Sequence, residues 1–182
     1  MAAATAAEAL DGLLRFGAAV VPALKAEGTE TAGYALLQED GLLGYLEGDS
    51  ARGLELLLGE ACHNTAVCDA LTVAVTEVST LLRPVWEGER LVGLSLRCTL
   101  TARCTDRSGW DPAALAKGEE ELRVLGEKQL TAVLARLKEL GNDGGVLRGK
   151  LALLSPLGEE ALWPRHPEGL PVAIEVQAHI QG

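Results

Sequence analysis

The sequence predicts an α+β fold: a mixed, largely antiparallel β-sheet packed against one long α-helix and shorter helices. Three observations carry that prediction. Val92–Cys104 and Val172–Ile180 alternate apolar and polar residues with period two, as strands do when one face lies on a core and the other on water. Between them Leu130, Val133, Leu134, Leu137 and Leu140 recur at helical spacing. Helices and strands do not alternate regularly, so a wound parallel sheet is disfavoured.

Along the chain, Ala6–Val21 is rich in Ala and Leu and reads as a first helix, weakened by Gly12 and Gly17 and ended by Pro22. Two short apolar runs then flank Asp40-Gly41, the mark of a β-hairpin, because Gly supplies the positive φ of a tight turn. Asp49 and Ser50 precede Ala51–Leu58, where either side chain can accept from the free amides of a first helical turn. Ala70–Val78 is a strand with Leu71, Val73 and Val75 on one face and Thr72, Ala74 and Thr76 on the other. A turn at Glu87-Gly88-Glu89 leads into the long alternating strand. Asp111-Pro112 starts the long helix, the carboxylate capping and the proline sitting where no amide partner is needed. That helix is expected to be weakest near Gly118 and to stop at Gly141.

Composition narrows function. The 182 residues, 48% hydrophobic and 23% charged, suit one globular domain spanning 1–182, and neither disorder nor collagen-like repeats. A net charge of −10 with no Lys or Arg cluster argues against nucleic acid and against docking on anionic lipid. Phe16, Tyr34, Tyr45, Trp86, Trp110 and Trp163 are the whole aromatic complement, so the core is built from Leu, Val and Ala. The longest apolar run, Phe16–Leu24, is broken by Pro22 and falls well short of the roughly 20 residues a bilayer span needs. Residues 1–8 carry no basic leader and no lipid-accepting Cys follows, so the expected chain is soluble or the soluble part of something longer.

Several constellations invite chemistry and fail on context. Gly144–Lys150 has the G-x-x-x-x-G-K spacing of a phosphate loop, but Leu151 replaces the Mg²⁺-binding hydroxyl and the segment follows a helix rather than a strand. A helix stop followed by a Gly-rich turn explains it. Cys62, His63 and Cys68 offer zinc-type ligands without the paired spacing of a zinc site, and His166 and His179 are far away. Cys62 and Cys68 can close a disulfide only in an oxidising compartment. Cys98 and Cys104, six residues apart on one strand face, are about 20 Å apart at 3.3 Å per residue and read as small core residues. Glu119–Glu121 and Glu159-Glu160 read as solvated surface, and His179 falls on the polar face of the last strand. No catalytic, cofactor-binding or metal residue is assigned, and the residues alone describe a binding or interaction domain.

The order of pieces is more specific. The hairpin Gly33-Tyr-Ala-Leu-Leu-Gln-Glu-Asp-Gly-Leu-Leu-Gly-Tyr-Leu46 continues through Glu47–Leu54 and is followed by the strands Leu71–Val78 and Leu91–Ala102. Next come the helix Leu130-Thr-Ala-Val-Leu-Ala-Arg-Leu-Lys-Glu-Leu140, the turn Asn142–Leu147 and the closing strand Leu170–Gly182. From Pro22 to Gly182 this resembles the C-terminal domain of the Ger(x)C family, the lipoprotein C subunit of spore nutrient-germinant receptors. Arg148–Glu168 is shorter than the family's corresponding segment, and the family's signal peptide, lipid-modified cysteine and preceding domains do not appear in these residues. The resemblance implies a non-enzymatic accessory role without cofactors in spore germination, on the outer face of the spore inner membrane. Its implied partners are the membrane A and B subunits, the latter the family's usual candidate for nutrient binding, with no nucleic acid and no membrane insertion by this segment. Trp86 and Trp163 are the first suspects for a partner surface if exposed, although with so few aromatics both are expected in the core.

Overall fold

The computed structural model describes residues 5–24, 31–60, 65–68, 71–105, 111–141, 143–154 and 170–181. Thr5 opens helix α1 (Ala6–Phe16) with a capping box: its hydroxyl accepts from the Glu8 amide, and the Glu8 carboxylate accepts from the Thr5 amide. The helix expected through Val21 stops at Gly17, whose φ of 74° is the left-handed geometry that closes helices. Strand β1 (Ala19–Leu24) follows. Its β-branched Val20 and Val21 favour extended chain, and Pro22 is tolerated because β1 lies at a sheet edge.

β1 pairs antiparallel with β2 (Thr31–Gln38), which pairs antiparallel with β3 (Gly41–Leu46) across the expected turn. Helix α2 (Asp49–Leu58) comes next, but the expected Asp49 or Ser50 cap does not form. Gly48 occupies the cap position, and the Ser50 hydroxyl instead accepts from the Glu47 amide and donates to its carbonyl.

A second sheet has the order β4-β5-β6-β7, made of β4 (Thr65–Cys68), β5 (Leu71–Glu87), β6 (Arg90–Cys104) and β7 (Val172–Gln181). The pairs are antiparallel except β6 with β7, which is parallel. β5 runs nine residues past its expected end at Val78. A bulge explains the early stop: the register shifts between Val75 and Glu77, so the buried set moves from Leu71, Val73 and Val75 to Val78, Thr80 and Leu82. Trp86, expected in the core, is 43% exposed. It sits beside the turn at Gly88, where consecutive residues Val85 to Arg90 are all exposed.

Between β6 and β7 the chain forms α3 (Pro112–Glu139) and α4 (Asp143–Leu154). Asp111 caps α3 by accepting from the Ala113 amide, as expected. Gly118 is no weak point, being buried against Ile180 and Leu71. The expected Gly-rich turn after Gly141 is instead the helix α4, with Val146, Leu147, Lys150 and Leu151 buried. At about 42 Å for 28 residues, α3 reaches both sheets. Its first half lies against β7 and β4, while near its end Leu140 packs on Gly44 and the Arg136 guanidinium donates to the Tyr45 carbonyl. Buried apolar residues from both sheets and from α2, α3 and α4 join in one cluster.

Candidate functional site

Helical periodicity assembles one cleft among the described residues. On α2, Asp49, Arg52 and Leu56 share a face, and on α3 so do Leu122, Leu125, Gly126 and Gln129. These faces meet above β4 and β5, where Ala66, Val75 and Val78 complete the floor of a cleft of about 280 Å³. The helices cross tightly because Gly53 has no side chain: a Cβ there would collide with the Gln129 backbone and touch Val133. Charge stays at the rim, where Lys128 Nζ lies 2.8 Å from the Asp49 carboxylate. Away from the charged Asp49 and Arg52 the lining side chains are apolar except for that of Gln129, a residue that is 9% exposed. Its carboxamide has no hydrogen-bond partner among the described residues, which is uncommon for a buried polar group.

Beneath the C-terminus of α2 lies a second polar group. Lys150 Nζ donates to the Leu58 carbonyl at 3.0 Å, and the Thr80 hydroxyl donates to the Leu56 carbonyl. The Leu56 carbonyl also accepts from the Gly59 cap amide, whereas Lys150 serves one of the carbonyls a helix end leaves open and places a cation where the helix dipole favours one. The same hydroxyl is 3.4 Å from Cys98 Sγ. Burial pushes the Cys98 thiol up, with the Thr80 hydrogen bond and the Lys150 charge opposing it in part. Burial likewise holds Lys150 below the usual lysine range, against the pull of Cys98 and Glu60. A buried thiol with a raised pKa is a poor nucleophile. The lysine of the phosphate-loop spacing therefore works as a helix cap.

Other residues noted from the sequence scatter. Cys68 ends β4, with its thiol 3.7 Å from the Gly118 carbonyl. Cys62, His63, His166, Trp163 and Glu159-Glu160 lie outside the described residues, so the Cys62 and Cys68 pairing does as well. Cys104 is half-buried on β6, and His179 is exposed on β7. Glu119 is more than surface, because its carboxylate accepts from the Ile180 amide and fastens α3 to β7. Among the described residues no group of three or more His, Cys, Asp and Glu is placed to hold a metal ion. No described helix is long and apolar enough to cross a membrane. Sequence reading missed Gln129, although one signal was present: a polar residue on the stripe running from Leu122 through Gly126 to Val133.

The sequence matches no protein-family model and no curated protein. Its fold does have a solved counterpart, the crystal structure of the GerBC protein, at a TM-score of 0.72 and 15% identity. This is a GerBC-like fold. The alignment takes in 97% of this chain and 60% of that one, so the chain spans about three-fifths of the GerBC structure's length. The expected likeness to the Ger(x)C C-terminal domain thus holds for the fold, including the helix α1 that precedes the segment carrying the sequence resemblance. The cleft and the Lys150 cap are features of this chain's own side chains on the GerBC-like fold.

Proposed function

We propose that this chain is a single, non-enzymatic interaction domain of a spore nutrient-germinant receptor, acting beside the membrane A and B subunits at the outer face of the spore inner membrane. The observation that supports it is the fold match across nearly the whole chain, in the order of elements that the hairpin and closing strand had already suggested. Trp86 is the first residue to test for partner contact. It is exposed at a hairpin end beside Val85, itself 40% exposed, and Trp is enriched among residues that dominate interfaces.

The experiment uses native spores. Inner membranes are isolated, crosslinked and probed for this polypeptide together with the A and B subunits. Co-purification that weakens in a Trp86→Ala strain, with unchanged protein level, is the expected result. A polypeptide found only in the soluble fraction of growing cells would withdraw the germination role and leave the fold alone.

A further inference from the structure

We propose that the cleft between α2 and α3 binds a small uncharged amphiphile, an aliphatic body of about six carbons carrying one amide-like or hydroxyl head. The inference stands apart from the receptor reading, since it concerns what the isolated chain binds.

Size comes first. At about 30 Å³ per water in the liquid, a 280 Å³ cleft holds roughly nine waters, or a ligand of a similar number of heavy atoms. That is the low end of small-molecule pockets. The walls supply the apolar half of the recognition: Leu56, Ala66, Val75, Val78, Leu122 and Leu125. Val67, 82% exposed, borders the open side and marks the entrance.

Gln129 supplies the polar half. Its carboxamide offers two N–H donors and one carbonyl acceptor; the residue as a whole is 9% exposed, and its side chain has no partner among the described residues. A head group able both to donate and to accept would pair with it. Charge excludes ions. The two charged residues of the lining, Asp49 and Arg52, have opposite signs, Asp49 already faces Lys128, and Arg52 is exposed. A charged head beside Gln129 would lose its hydration, while Arg52 lies in solvent and already has a partner of its own.

The test titrates the ¹⁵N-labelled full chain with hexanamide, and separately with hexanoate, while the Gln129 side-chain amide and the Val75 and Val78 backbone amides are followed by NMR. Expected are saturable shifts with a midpoint at or below about 1 mM, and hexanoate at least about tenfold weaker. Gln129→Leu, which keeps the volume and removes the head contact, should weaken hexanamide by at least about fivefold. Ala66→Phe, which puts a ring into the cleft from the opposite wall, should abolish the shifts. Absence of saturable shifts, equal binding of hexanoate, or hexanamide binding that survives Ala66→Phe would each overturn the proposal. If Gln129→Leu does not fold, the hexanoate comparison and Ala66→Phe still decide it.

Discussion

β6 lies inside the larger sheet and β3 at the edge of the smaller one, and the two are held in different ways. Along β6, Leu94, Leu96, Cys98, Leu100 and Ala102 alternate into the core at 2% exposure or less. β3 fully buries Leu46 alone, while Leu42 and Tyr45 stay about half exposed. The four-stranded sheet is thus held by apolar area removed from water. The three-stranded sheet depends more on a few ties: the Tyr34 hydroxyl donating to Glu55 on α2, the Arg136 bond to the Tyr45 carbonyl, and Leu140 on Gly44. Its neighbour α1 buries no residue fully, and Leu10 and Leu14 project from it. Stability in this molecule is concentrated around α2, α3 and the larger sheet.

That contrast can be broken in a graded series. Gly53→Val should have the largest effect, about 4 kcal/mol or more in urea unfolding, because the added carbons meet the Gln129 backbone and force α2 off α3. Leu96→Ala, at a site with no exposure, should cost about 3 kcal/mol through lost burial and the cavity left behind. Tyr34→Phe removes one tie of the smaller sheet and should cost about 1 kcal/mol. If it costs as much as Leu96→Ala, the smaller sheet is not held by ties of ordinary strength and the contrast fails.

The fourth experiment reads pH. The folded Cys98 thiol holds its proton above the ordinary value of 9.0. The unfolded thiol ionises first, so stability present below about pH 9 is lost as pH rises through the folded value. Lys150 runs the other way: with its folded pKa below 10.5, stability rises as pH climbs from that lowered value towards 10.5. Cys98→Ala should therefore gain on the wild type between about pH 8 and about pH 10 in denaturation midpoints, and a constant difference would show the thiol is not titrating as described. The smallest effect belongs to Leu14→Ser, at 77% exposure, which should stay within about 0.5 kcal/mol.

Much of this was legible because local pattern and tertiary burial agree. The alternation of Val92–Cys104 is the alternation of β6, and Asp111, Pro112 and Gly141 mark the limits of α3 as their chemistry dictates. The failures have physical causes. Thr76 breaks the period of β5 by bulging, which hid its second half. Glycine misled twice in opposite directions: Gly17 ends α1 early, while Gly144 and Gly149 lie inside α4, where burial of Val146, Leu147 and Leu151 overrides propensity. The cleft was not legible, since its lining comes from five elements and only folding brings Gln129 above Val75 and Val78. Lys150 carried a misleading motif, and its capping role depends on Leu58, 92 positions away.

The parallel partnership of β6 and β7 also sets an order of events. Among the described strands the antiparallel neighbours are close in sequence, but β7 reaches β6 only across the long crossover that carries α3 and α4. Until β7 docks, Gly118 and Gly126 of α3 lack half of their seat, for each packs on a β7 side chain, Ile180 or Val176, as well as on the earlier strands. Closing so distant a pair costs loop entropy before any contact rewards it. Hairpin formation should therefore run ahead, with docking of α3 and β7 as the slow step, and refolding should show the larger sheet's last edge gaining amide protection after its first three strands.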